Sequence, residues 1–90
     1  MVKKIAICEN VINGNTFITS HDFRIRLARV KTPPVNTTDG IKAKMLLEAF
    51  ISGNVVDYEV ISKDNDGSSL AEIWVRDKNI NDAMISAGFK

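Results

Sequence analysis

Long apolar runs are the first thing this 90-residue chain lacks. No segment approaches the ~20 consecutive apolar residues of a membrane span. Lys3-Lys4 followed by Ile5-Ala6-Ile7-Cys8 resembles the opening of an export signal, but the run stops at Glu9, short of the ~7–15 apolar residues such a core needs. The expectation is a cytoplasmic protein without membrane association. Charge imbalance is missing too. Twelve Lys and Arg against eleven Asp and Glu leave a net charge of +1, so any binding to nucleic acid has to come from a local patch rather than a chain-wide field. A single cysteine, Cys8, excludes an internal disulfide and, set in an apolar strand, reads as a small core hydrophobe. The single histidine, His21, has no partner at metal-ligand or triad spacing and is assigned no role. Repeats, linkers and low-complexity segments are absent. Residues 1–90 are therefore expected to form one small domain with a thin core.

What is present is a succession of short β-patterns. Lys4 to Ile12 is rich in β-branched residues and reads as a first strand. Asn13-Gly14 is a two-residue hairpin signal, since both residues tolerate positive φ, and it returns the chain into Thr16 to Thr19. After the polar turn Ser20-His21-Asp22, Phe23 to Val30 reads as a third strand. Lys31 to Gly40, with Pro33 and Pro34, is a loop. Thr37, Thr38 or Asp39 can cap the helix that follows, whose apolar residues Ile41, Met45, Leu46, Ala49 and Phe50 recur at helical steps and predict its buried stripe, with Gly53 as terminator. Val55 to Ile61 is a fourth strand, with Val56, Tyr58 and Val60 on one face. Leu70 to Val75 is a fifth, and Asn81 to Ala87 a short closing helix before Gly88. Five strands with a helix between the third and fourth are the element order of an OB-fold barrel, a mainly β architecture.

The centre of the pattern is Phe23-Arg24-Ile25-Arg26-Leu27-Ala28-Arg29-Val30-Lys31-Thr32-Pro33-Pro34, which alternates apolar and basic residues and breaks at prolines that cannot donate to a ladder. With Asn13-Gly14-Asn15-Thr16 before it, Asp64-Asn65-Asp66-Gly67-Ser68-Ser69-Leu70-Ala71 after it and Asn79 to Gly88 at the close, it resembles the staphylococcal nuclease (thermonuclease) family. That family's motifs run D-G-D-T, R-x-R-L-x-x-[VI]-D-[AT]-P-E and D-x-[YF]-G-R-x-L-A in the same order. The resemblance implies the five-stranded OB-fold barrel with a short C-terminal helix. It also implies phosphodiester chemistry that uses a calcium ion held partly by two aspartates, a glutamate near the attacking water and two arginines on the phosphate.

The family positions are occupied differently here. Asn15 stands for the first aspartate, Lys31 for the second, Pro34 for the glutamate and Ser68 for the second arginine, while Arg26 and Thr32 match. Two unit charges ~4 Å apart interact by about 4 kcal/mol at an effective dielectric near 20, and an ammonium repels a divalent ion by about twice that. No calcium binding at physiological concentrations and no other cofactor are expected, and neither is catalysis: the chain reads as an inactive relative. Asp64-x-Asp66-Gly67 is only part of a calcium loop, because the pattern would need ligands at Ser62 and Ile73.

Arg24 and Arg26 share one strand face, and Arg29 and Lys31 follow on the other. With Lys42 and Lys44 they form the one concentrated basic region. Arg24, Arg26 and Lys31 are the candidates for holding a phosphate. The aromatics that would give a base-stacking platform, Phe17, Phe23, Phe50, Tyr58, Trp74 and Phe89, mostly fall at positions that read as core. The expected function is a nuclease-like module that weakly binds single-stranded nucleic acid or a protein partner. An active nuclease with another metal arrangement and a purely structural or regulatory domain stay open as alternatives.

Overall fold

The computed structural model describes residues 3–90, so the first two positions of the expected 1–90 domain lie outside it. Its elements run β1 (Lys4–Asn13), β2 (Thr16–Thr19), β3 (Arg24–Leu27), α1 (Thr38–Ile51), β4 (Val55–Lys63), β5 (Ser69–Val75), a two-residue β6 (Lys78–Asn79) and α2 (Ile80–Ser86). Neighbouring strands follow the order β3-β2-β1-β4-β5-β6, and a parallel pairing of β3 with β5 closes the sheet into a five-stranded mixed barrel. Closure removes the free edges that a small open sheet would expose. No helix among the described residues is long and apolar enough to cross a membrane.

The core fills by alternation. Ala6, Cys8 and Val11 of β1, Phe17 of β2, Ile25 and Leu27 of β3, Val56 and Tyr58 of β4, and Ala71 and Ile73 of β5 point inward, and Leu47 and Ile51 of α1 with Ile80 and Met84 of α2 cover the barrel. Cys8 is fully buried, as expected for a small hydrophobe, and burial pushes its thiol up to about 11.

Three local expectations change. The first hairpin turns at Gly14-Asn15, with Asn13 paired to Thr16, and neither turn residue adopts positive φ. Gly14 is required for space instead: a Cβ there would sit 2.5 Å from Ala43 Cβ and 2.8 Å from Thr32 Cγ2. That same close approach selects the helix face. Thr37 caps α1 by accepting from the Gly40 N–H, and the buried stripe is Gly40, Ala43, Leu47 and Ile51, which leaves Ile41 and Met45 exposed. On β4 the regular alternation ends at a bulge between Val60 and Ser62, and at this end of the strand Val60, still on the face of Val56 and Tyr58, and Ile61 are both exposed. Gly53 and Gly88 take positive φ after their helices, the left-handed conformation that ends a helix at low cost.

Candidate functional site

The third strand stops at Leu27, three residues before the pattern suggested, and two residues on Arg29 takes a left-handed backbone (φ 67) that breaks the extended run. Such a conformation is costly for a residue with a Cβ, and the side chain it delivers is well rewarded. Arg29 Nε and Nη2 donate to the two carboxylate oxygens of Glu72 at 3.0 and 2.6 Å, and Nη2 also donates to Asp82 at 3.0 Å. The two carboxylates hold the guanidinium even further above its ordinary range. Arg29 is thereby a tie between the end of β3, strand β5 and helix α2.

Beneath it sits a residue that sequence reasoning passed over. Asn81 is fully buried in the first turn of α2, where its Oδ1 accepts from the Ile73 N–H and its Nδ2 donates to the carbonyls of Ala28 and Ala71, each bond 2.9 Å long. An asparagine just inside a helix gave one available signal: it belongs to neither the apolar stripe nor the cap, which here is Asn79.

The remaining candidates separate into two groups. Lys31 and Thr32 line a cavity of about 560 Å³ between the loop after β3, the first turns of α1 and the C-terminal residues. Lys42 and Lys90 join them, and Asp39 is its one acidic side chain. The loop is pinned by the Lys31 N–H, which donates to the Phe89 carbonyl at 3.3 Å, and by Pro34, whose carbonyl accepts from both the N–H and the hydroxyl of Thr37. Asn15 lies against this loop without lining the cavity. Its Nδ2 donates to the Val30 carbonyl at 3.1 Å, its Oδ1 accepts from the Thr16 hydroxyl at 3.0 Å, and its own carbonyl accepts from the Leu27 N–H at 2.8 Å.

Arg26 turns elsewhere. Its Nη1 donates to Asp64 Oδ2 at 3.0 Å in a half-exposed ion pair, while its Nε is buried without a partner. The nearby Ser68 hydroxyl is also buried and without a hydrogen bond. The Ser68 N–H donates to Asp66 Oδ1 at 3.0 Å and, with the charges of Arg26 and Arg24, holds the Asp66 carboxyl below the usual carboxylate range. Arg24 is exposed and forms no ion pair among the described residues. Arg24 and Arg26 thus share one outer face of β3, whereas Lys31 belongs to the cavity beyond its end.

The donors at the family's ion-binding positions do not fit calcium. Asn15 has its amide oxygen engaged by Thr16, Lys31 adds a positive charge, and no group of three or more His, Cys, Asp or Glu side chains capable of holding a metal gathers among the described residues.

A family model described as staphylococcal nuclease homologue matches residues 24–90. No curated protein matches the chain. The expectation that the chain is not an enzyme is overturned by the family match, which points to a nuclease.

Proposed function

Since the chain belongs to the staphylococcal nuclease homologue family, we propose that it is a nuclease-related module that binds single-stranded nucleic acid through backbone phosphates. The observation that carries this reading is the distribution of unpaired cations. Arg24 on β3, and Lys31 and Lys42 at the cavity, form no ion pair among the described residues, whereas Arg29 is saturated by two carboxylates. Arg26 adds a guanidinium whose half-exposed ion pair with Asp64 is worth at most about 1 kcal/mol, so a phosphate can displace the carboxylate. Arginine on the strand supplies paired donors to phosphate oxygens, and lysine at the loop supplies a point charge.

About three phosphate contacts give a salt slope near −2 in log K against log salt, at ~0.7 per contact for single strands. Raising salt threefold then weakens binding about tenfold. Fluorescence anisotropy with a labelled single-stranded oligonucleotide measures this directly, and gel analysis of the same samples with added divalent ions reports cleavage. Absence of binding at low salt contradicts the reading.

A further inference from the structure

The mouth of the barrel at the start of β3 carries a feature that the phosphate reading does not use. Phe23, expected in the core, is 60% exposed. Its ring borders a cavity of about 240 Å³ lined also by Lys4, Tyr58, Val60 and Lys63. The aromatic is not loosely placed. Its N–H donates to the hydroxyl of the fully buried Thr19 at 3.2 Å, and its carbonyl accepts from the Thr19 N–H at 2.9 Å. Asp22, immediately before it, takes positive φ (63) to make that turn. A solvent-facing aromatic on a backbone fixed at both polar atoms is a rigid, flat, apolar surface held ready.

Charge selects what it meets. Two lysines and no carboxylate line the cavity, and Arg24 is the next residue in the chain. Ile25, Tyr58 and Val60 give the cavity an apolar lining. An apolar plane joined to an anion matches this combination, and along a single strand each nucleotide is such a unit. Arg26 and Arg24 stand about 7 Å apart on the same face, at ~3.3 Å per residue, and lead from the loop towards this mouth.

We infer that the barrel mouth is a nucleobase subsite, in which Phe23 stacks one unpaired base and Lys4 and Lys63 hold the adjoining phosphate. The subsite rests on the proposed binding of single-stranded nucleic acid and extends it from phosphates to bases.

The test is fluorescence anisotropy at low salt with two labelled strands of equal length, an oligothymidine and its abasic counterpart, which carries the same phosphates and no bases. Wild-type protein binds the oligothymidine about tenfold more tightly, in line with the usual gain from one stacked base. Phe23→Ala binds both strands equally, at the wild-type affinity for the abasic strand, and Phe23→Trp keeps the preference. Circular dichroism shows both variants folded, as the exposure of Phe23 requires. Equal wild-type affinity for the two strands overturns the subsite and leaves phosphate binding standing, as does a Phe23→Ala loss that falls on both strands alike. Failure to bind either strand overturns both readings.

Discussion

Arg29 and Lys31 leave β3 two residues apart, yet Arg29 meets Glu72 and Asp82 while Lys31 enters no ion pair among the described residues. On one side of the break the polar groups are closed on one another: Arg29 on its carboxylates, Asn81 on three backbone groups of β3 and β5. On the other side Lys31, Lys42 and Arg24 face solvent. A run of alternating basic residues is therefore not one patch. What lies across from each side chain divides it: Arg29 is a structural tie held by two carboxylates, whereas the free charges, together with Arg26 on its single half-exposed ion pair, are available to an anion.

The largest effect expected from this contrast lies on the closed side. Asn81→Leu keeps the branched shape but strands the Ile73 N–H and the Ala28 carbonyl in the interior, at ~1–3 kcal/mol for each unsatisfied group. Urea denaturation should show a loss of about 3–5 kcal/mol. A loss below ~1 kcal/mol would mean that the closed side contributes little to stability.

Next in size is a pH effect at another sealed position. The Cys8 thiol is pushed by burial from 9.0 to about 11, with Glu48 adding and the Gly53 N–H opposing. Between those values the unfolded chain has lost a proton that the folded chain keeps, so stability falls as pH rises through the window and is fully present below it. The total is about 2–3 kcal/mol at ~1.4 kcal/mol per pH unit. The difference between wild type and Cys8→Ala across pH 8–11 isolates this term, and parallel profiles would show that the thiol does not carry it.

The smallest effects make the sharpest comparison. Arg29→Ala should cost about 1 kcal/mol of stability, as for an exposed ion-pair network, and leave affinity for a single strand unchanged. Lys31→Ala should leave stability unchanged and weaken binding about three- to fivefold, the worth of one phosphate contact at moderate salt. Equal losses of binding in the two variants would dissolve the division between tie and free charge.

How far these features were legible follows from their physical scale. The barrel order, the Thr37 cap and the glycine stops were readable because periodicity and capping are local. The face of α1 was not. Ile41-Met45-Ala49 and Ala43-Leu47-Ile51 are both apolar rows at helical spacing, and the choice between them depends on the approach of Gly14 and Thr32 from elsewhere in the chain. The early end of β3 was hidden for the same reason: the left-handed turn at Arg29 is offset by partners forty-three and fifty-three residues away. Among the candidate residues, Asn15, Arg26, Lys31, Thr32, Pro34 and Ser68 were picked out by motif position, but no motif says that Arg26 pairs with Asp64 while Lys31 and Thr32 line a separate cavity. Exposure of Phe23 rests on two hydrogen bonds to Thr19 that no alternation pattern encodes.

The proposed binding places single-stranded nucleic acid along the outer face of β3 and the loop beyond it. Titrating a short unlabelled oligonucleotide into ¹⁵N-labelled protein and following each amide by NMR maps the contact surface residue by residue. The largest shifts should fall on Arg24, Arg26, Lys31 and Lys42, with Arg29 little moved. Shifts confined to the opposite wall around Ile5, Ile7 and Val55, or none at low salt, would contradict it.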